Sequence, residues 1–190
     1  MTTPRGRPRS ASIDEAVGRA VVRSLADRGY AATTIEQVSR EAKVPKTAIY
    51  RRWSSKAEMV FALVIASGRF RPPPERPTLA EDVHALVERV VDVLATPAAG
   101  QAVPGLLTDL DRDPSLRSRF HAAFTDPQRR MVATLLERAV RRGELGAMPD
   151  PTHVHAQLLG TVFAWTHLLS ADPPEDLADR VTGALLASLR

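Results

Sequence analysis

The chain has 190 residues, of which 44% are hydrophobic and 25% charged, enough for one large or two small domains with a sizeable core. No apolar run reaches the roughly 18 residues of a membrane span, and the arginines at the N-terminus have no apolar stretch behind them, so neither a span nor a secretory signal is expected. The absence of cysteine excludes disulfides and thiolate metal sites and fits a cytoplasmic chain.

The net charge of +4 is unevenly divided. Residues 1–56 carry twelve Lys/Arg against five Asp/Glu, whereas 57–190 carry fourteen against seventeen. That segregation points to a polyanionic partner for the first third alone.

In chain order, residues 1–11 open with "MTTPRGRPRS", which has no apolar residue beyond Met1 and is expected to be a disordered basic arm. Within it, "RGRPR" resembles the core of an AT-hook, in which Arg5, Arg7 and Arg9 would lie along a narrow minor groove. Ile13, Ala16, Val17, Ala20, Val21 and Leu25 then recur at helical spacing, and Gly29 supplies a stop, giving a helix over 12–28. Ser12 with Glu15, Thr34 with Gln37 and Ser55 with Glu58 have the spacing of capping boxes. Further helices are expected near 34–41, 45–52 and 55–69.

The segment "RPPPERP" (71–77) must end the helix before it and reads as a stiff connector. Beyond it the spacing predicts helices near 78–95, 103–110, 114–124, 127–142, 151–169 and 174–189. Four Asp-Pro pairs, at 113, 126, 150 and 172, read as helix starts, because Asp caps and Pro fits the first helical position. No strand-like alternation bounded by tight turns is seen. The reading is all-α.

Residues 34–52, "TIEQVSREAKVPKTAIYRR", place two short helices around a three-residue turn, a helix-turn-helix. Ile49 and Trp53, four apart, share the face that packs inward, while Lys46, Thr47 and Arg51 lie on another face, free for DNA. The runs "ADRGYAATTIEQVSREAKV" and "AIYRRWSSKAEMV" resemble the DNA-binding domain of the tetracycline-repressor (TetR) family of bacterial regulators. Residues from 78 onward, most clearly "RRGELGAMPDPTHVHAQLLGTVFAWTHLL", resemble that family's helical ligand-binding and dimerisation domain.

The resemblance implies an N-terminal three-helix DNA-binding domain over 12–56 and a C-terminal domain over 57–190. It implies a homodimer on a near-palindromic operator, usually a repressor released by a small molecule. By the same resemblance Thr34, Tyr50 and Lys56 would touch phosphates, and Lys46, Thr47, Ala48 and Arg51 would approach base edges. Two positions depart from the family pattern: Lys43 stands where the turn usually has Gly, and Pro45 where a Ser or Thr cap is usual. A lysine held in a left-handed turn is strained.

The C-terminal helices carry more apolar residues than one buried face needs, with small polar groups between them, as a pocket for an apolar ligand requires. The expected lining is Phe61, Ile65, His121, Met131, Leu135, Gln157, Leu158, Thr161, Val162 and Trp165. Leu159, Phe163, Leu177, Val181, Leu185 and Leu189 are expected to meet a second copy in a four-helix bundle. The five histidines form no His-x-x-x-His pair, so no metal or cofactor is expected, and His121, His155 and His167 read as core or pocket donors. No P-loop, nucleophile elbow or dinucleotide fingerprint is present, so an enzyme is not expected. The competing reading is a non-specific, architectural DNA-binding protein.

Overall fold

The computed structural model describes residues 9–66, 74–169 and 173–189. Every regular element among them is helical. The basic arm up to residue 8, the expected helix end at 67–69 and part of the proline connector (71–73) lie outside the described residues.

Helix α1 (Arg9–Ala32) is interrupted at Gly29, where φ is 71° and ψ 176°. Only glycine readily enters that backbone region, so the stop falls where the sequence places it. The capping box expected at Ser12 and Glu15 lies instead inside α1, which already begins at Arg9. The Thr34 box is complete at the start of α2 (Ile35–Ala42): Gln37 N–H donates to Thr34 Oγ1 (3.3 Å) and Thr34 N–H to Gln37 Oε1 (3.2 Å). After α3 (Lys46–Tyr50), α4 (Lys56–Val60) starts on Ser55, whose Oγ accepts the Glu58 N–H at 3.1 Å. Glu58 itself takes the N–H of Ser54 (2.8 Å), one residue early for a full box. Helix α4 then widens into a π-helical turn, Phe61–Ile65.

Helix α5 (Leu79–Leu94) opens on a complete box of Thr78 and Glu81 that the sequence reading missed. Helix α6 (Pro97–Arg112) is twice as long as expected. Its prolines and glycines hide a helical stripe of Ala99, Ala102, Val103 and Leu106, all buried. Pro97 fits because it occupies the first helical position, where no N–H is needed. Helix α7 (Pro114–Phe120) runs through a second π-helical turn, His121–Thr125, directly into α8 (Asp126–Arg141). Asp126-Pro127 is therefore not a fresh start: Thr125 is already helical. Helix α9 (Pro151–Ala164) does begin on its Asp-Pro pair, with Asp150 Oδ1 accepting the Thr152 N–H at 2.8 Å, and it ends in a third π-helical turn, Trp165–Leu169. Helix α10 (Leu177–Ser188) starts three residues later than expected, since Pro173 and Pro174 stay outside it.

Contacts divide the chain into two compact units. Helices α1–α4 and α6 make the first; α5 and α7–α10 make the second. The expected boundary at residue 56 is a single one, whereas the chain crosses between these units three times, after residues 67, 96 and 113, because α6 packs on α1 and α4. In the first unit Val17, Val21, Leu25, Val38, Ile49 and Trp53 form the interior. In the second, one cluster joins Val83, Leu86, Val87, Leu135, Leu136, Leu158, Val162, Leu177 and Val181.

Candidate nucleic-acid interface

The two helices of the helix-turn-helix are joined by Lys43, Val44 and Pro45. Lys43 sits at φ 55° and ψ 37°, in the left-handed conformation despite its side chain. The reason is the helix end: the Val44 N–H reaches back to Ser39 O (3.1 Å) and the Lys43 N–H to Arg40 O, which requires one residue to turn left-handed. Pro45 caps α3 with its backbone alone. Its carbonyl accepts the Ala48 N–H (2.9 Å) and the Ile49 N–H (3.2 Å), and its φ of −57° is preset for the task.

Ile49 is fully buried and Trp53 nearly so, which pins one side of α3. Lys46, Thr47, Tyr50 and Arg51 are exposed on its other side, with Ala48 partly covered, and Thr34 is exposed at the cap of α2. The six α2–α3 residues expected to meet DNA thus lie at the surface, with Ala48 partly covered, around one short helix. They differ in what holds them. Lys46 Nζ donates to Glu36 Oε1 at 2.5 Å, and that contact is the main reason the Glu36 carboxyl is held below its ordinary range. The Arg51 guanidinium has no ion pair or side-chain hydrogen bond among the described residues. Arg52, just past α3, is held: its Nε donates to Asp14 Oδ1 of α1 at 2.9 Å. That bond ties the root of the arm to the end of α3. Arg9, the one arm arginine among the described residues, is the first residue of α1.

Lys56 is half-buried. Its Nζ donates to the Tyr30 carbonyl at 3.0 Å and stands 4.0 Å from the centre of the Tyr30 ring. Burial first, then the hydrogen bond to Asp109, pushes the Tyr30 phenol above its ordinary range. Sequence reasoning gave neither Tyr30 nor Asp109 a role; a contact across 79 residues leaves no local pattern.

Of the expected pocket residues, Phe61 and Ile65 are buried in the first unit, and the rest belong to the second. Leu135, Leu158 and Val162 share the second unit's core, with Met131 and Trp165 packed against it. Thr161 is half-buried, and Gln157 Oε1 accepts the Ser188 hydroxyl at 3.2 Å. His121 is a correction: it is exposed beside Phe120 and is no core donor. His155 is buried, with Nε2 3.0 Å from Gln128 Oε1, and burial lowers its pKa. His167 is half-buried against the Phe163 ring, 5.0 Å centre to centre. An open recess of about 470 Å³ lies on the first unit, but Ser24, Asp27, Arg28, Gln37, Arg40 and Glu41 line it, and none of these is an expected pocket residue.

The expected dimer set is also corrected in part. Leu177, Val181 and Leu185 are 1%, 2% and 5% exposed in the single chain, so they fill their own core and have no surface to give a second copy. Leu159, Phe163 and Leu189 remain partly exposed. Beside them α9 exposes Ala156 and Gly160, and α10 exposes Gly183, Ala184 and Ala187.

A buried helix pair that holds a third short helix cation-side outward is the frame of a helix-turn-helix DNA-binding protein. Comparison with known proteins narrows this. Residues 19–63 match the sequence model described as "Bacterial regulatory proteins, tetR family", and residues 73–185 match "Tetracyclin repressor-like, C-terminal domain". The chain belongs to the TetR family of DNA-binding transcriptional regulators. It is 31% identical to the HTH-type transcriptional regulator Rv1556 of Mycobacterium tuberculosis over 88% of this chain and 83% of that one. It is 28% identical to the DNA-binding transcriptional repressor TetR of Mycobacteroides abscessus, over 80% and 78%. Its fold matches the regulator FadR of Bacillus subtilis, solved in complex with stearoyl-CoA, with a TM-score of 0.64 at 18% identity over 92% and 96% of the two chains.

Proposed function

We propose that this regulator is a repressor that binds its operator as a homodimer, in the cytoplasm, and leaves it when a small apolar ligand binds. The observation that carries the DNA reading is the exposed row Lys46, Thr47, Tyr50 and Arg51 on a helix whose opposite side is locked by Ile49 and Trp53. Arg51, unpaired, is the base-reading candidate: a guanidinium can meet guanine O6 and N7 together. Lys46, Thr47 and Ala48 would lie at base edges with it. Thr34, Tyr50 and Lys56 would meet phosphates, which set register without reading sequence. Arg5, Arg7 and Arg9 would follow the minor groove from the root that Asp14 and Arg52 fasten beside α3.

In this reading residues 1–11 form the arm and 12–56 the reading domain, while 57–190 take up ligand and partner. The outer faces of α9 and α10 would meet their copies through Leu159, Phe163 and Leu189. The small residues exposed around these would let helices approach closely. The effector would enter among the apolar side chains of the second unit near Leu135, Leu158 and Trp165. The repressor relative and the acyl-CoA-bound neighbour support both halves of the proposal by likeness.

The test is footprinting on the DNA upstream of the protein's own gene, with scrambled duplex as competitor. A specific regulator protects one near-palindromic site with about 10³-fold or greater preference. Uniform coating of all sequences would instead make this an architectural protein. An effector is then sought among apolar compounds by Trp fluorescence and DNA release. Linkage requires that a true effector bind more weakly when operator is present.

A further inference from the structure

Three helices of the first unit close on one side chain. Tyr30 follows directly on the Gly29 break, and its ring is buried. Its hydroxyl donates to Asp109 Oδ2 of α6 at 2.5 Å. The ring lies close against the same helix: a Cβ added at Gly105 would stand 2.1 Å from Tyr30 Cδ1, far inside contact distance. Lys56, the first residue of α4, sets its ammonium 4.0 Å from the ring centre and 3.0 Å from the Tyr30 carbonyl. One aromatic residue thus donates a hydrogen bond to α6 and seats its ring on that helix, and offers a π-face and a carbonyl to α4.

We propose that Tyr30 is a positioning residue for DNA binding: fastened by Asp109 and Gly105 of α6, it holds the Lys56 ammonium in the place where a phosphate is met. The inference rests on the reading above that Lys56 is a phosphate contact. It adds that α6, which comes after α5 in the chain, sets the geometry of that contact.

The physics favours a holder. A lysine stem is flexible and carries rotamer entropy, which a phosphate contact from free solution must remove. Here the carbonyl and the ring order the stem before DNA arrives. An ammonium has three donors, and the carbonyl uses one, so two remain for phosphate oxygens. The ring attracts the cation without a charge of its own and so does not compete as a carboxylate would. Lys46 makes the contrast. Its partner Glu36 is an anion, which DNA must displace. The phenol of Tyr30 is kept protonated by burial and by Asp109, so it remains the donor in the bond to α6 at any pH the chain meets.

A plain core residue would fasten three helices too, and the experiment must tell the two apart. The full-length protein is titrated with a fluorescent duplex of mixed sequence at several salt concentrations, and thermal midpoints are recorded in parallel. The variants are Lys56→Ala, Tyr30→Phe, Asp109→Ala, Asp109→Asn and the double variant Lys56→Ala/Tyr30→Phe. Lys56→Ala is expected to lower the slope of log K against log salt by about one per protomer. Tyr30→Phe and Asp109→Ala are expected to lower it by roughly half to all of that amount. Asp109→Asn keeps an acceptor for the hydroxyl and restores the wild-type slope. In the Lys56→Ala background, Tyr30→Phe changes binding no further. If Tyr30→Phe and Asp109→Ala lower the thermal midpoint but keep the wild-type slope, Tyr30 is a core residue only and the inference is overturned. Effects that add in the double variant overturn it as well. If Lys56→Ala itself leaves the slope untouched, it is the phosphate reading of Lys56 that fails.

Discussion

The two units spend their charges in opposite ways. In the first, the interior polar contacts are mostly neutral, such as Ser24 Oγ against Thr33 Oγ1 at 3.0 Å, and the cations of α3 stand at the surface. In the second, a carboxylate is taken wholly inside. Asp82 is 0% exposed, yet Arg142 Nη2 lies 3.2 Å away, Arg138 Nη2 3.7 Å, and the Arg76 N–H donates to it at 2.9 Å. Glu75 adds a partner for both arginines, at 3.5 and 3.6 Å. In the second unit the buried carboxylate is surrounded by opposite charge. On α3 the cations stand outside, Lys46 in an exposed pair with Glu36 and Arg51 with no ion pair among the described residues.

The sharpest way to break that contrast is Asp82→Ala. Removing one side of a buried pair strands the other, so stability should fall by about 3–5 kcal/mol, read as a shifted urea midpoint. A midpoint like that of the wild type would mean that the arginines find water as easily as they find Asp82. The matching change in the first unit, Glu36→Ala, should leave the midpoint where it is, because its pair with Lys46 is exposed.

Next in size is a loss of binding without a loss of fold. Arg51→Ala should weaken the specific complex by about 1–3 kcal/mol and relax preference at one base pair, with an unchanged melting curve. Intact affinity and intact preference would move the reading face elsewhere. Smaller again is Lys43→Gly. A left-handed non-glycine residue is strained by about 1–2 kcal/mol, and glycine's extra freedom in the unfolded chain offsets about half of that, so a gain of up to about 1 kcal/mol is expected by thermal melting.

The last difference depends on pH. Burial lowers the pKa of His155 below its unfolded value, as it does for His167. Between the folded and unfolded pKa values the unfolded chain binds the extra proton. The stability they contribute is therefore complete above an unfolded pKa of about 6.5 and is lost as pH falls below it. His155→Gln should flatten that acid limb in melts from pH 7.5 to 5, whereas His153→Gln, an exposed site, should leave it unchanged.

Much of this was legible in the sequence, because local physics decides it. The Thr34 box, the Gly29 stop and the inward pair Ile49 and Trp53 follow from spacing over a few residues. At Lys43 the sequence left the turn geometry open, since the family pattern has glycine there and lysine would be strained; the structure makes it left-handed. What was not legible depends on distant contacts. Helix α6 looked broken because Pro97, Gly100, Pro104 and Gly105 are poor helix formers in isolation. Its packing on α1 overrides that preference, and one of those glycines is the seat of the Tyr30 ring. The stripe Leu177, Val181 and Leu185 was correctly read as apolar, but periodicity gives a face and not its occupant. The Arg52–Asp14 contact was not legible for the same reason: nothing near Arg52 in sequence names Asp14.

The π-helical turns at 61–65, 121–125 and 165–169 have a consequence for how this chain tolerates change in length. A π turn closes its hydrogen bond one residue later than an α turn, so it holds one residue in surplus. Deleting a residue from an ordinary helix rotates everything after it by about 100°, which would swing each buried face to the solvent. Deleting one from a π turn lets the helix relax to α geometry with its faces still aligned. These three segments are therefore the slack in the chain, where relatives can differ by one residue while Val132, Leu135 and Leu136 keep pointing inward.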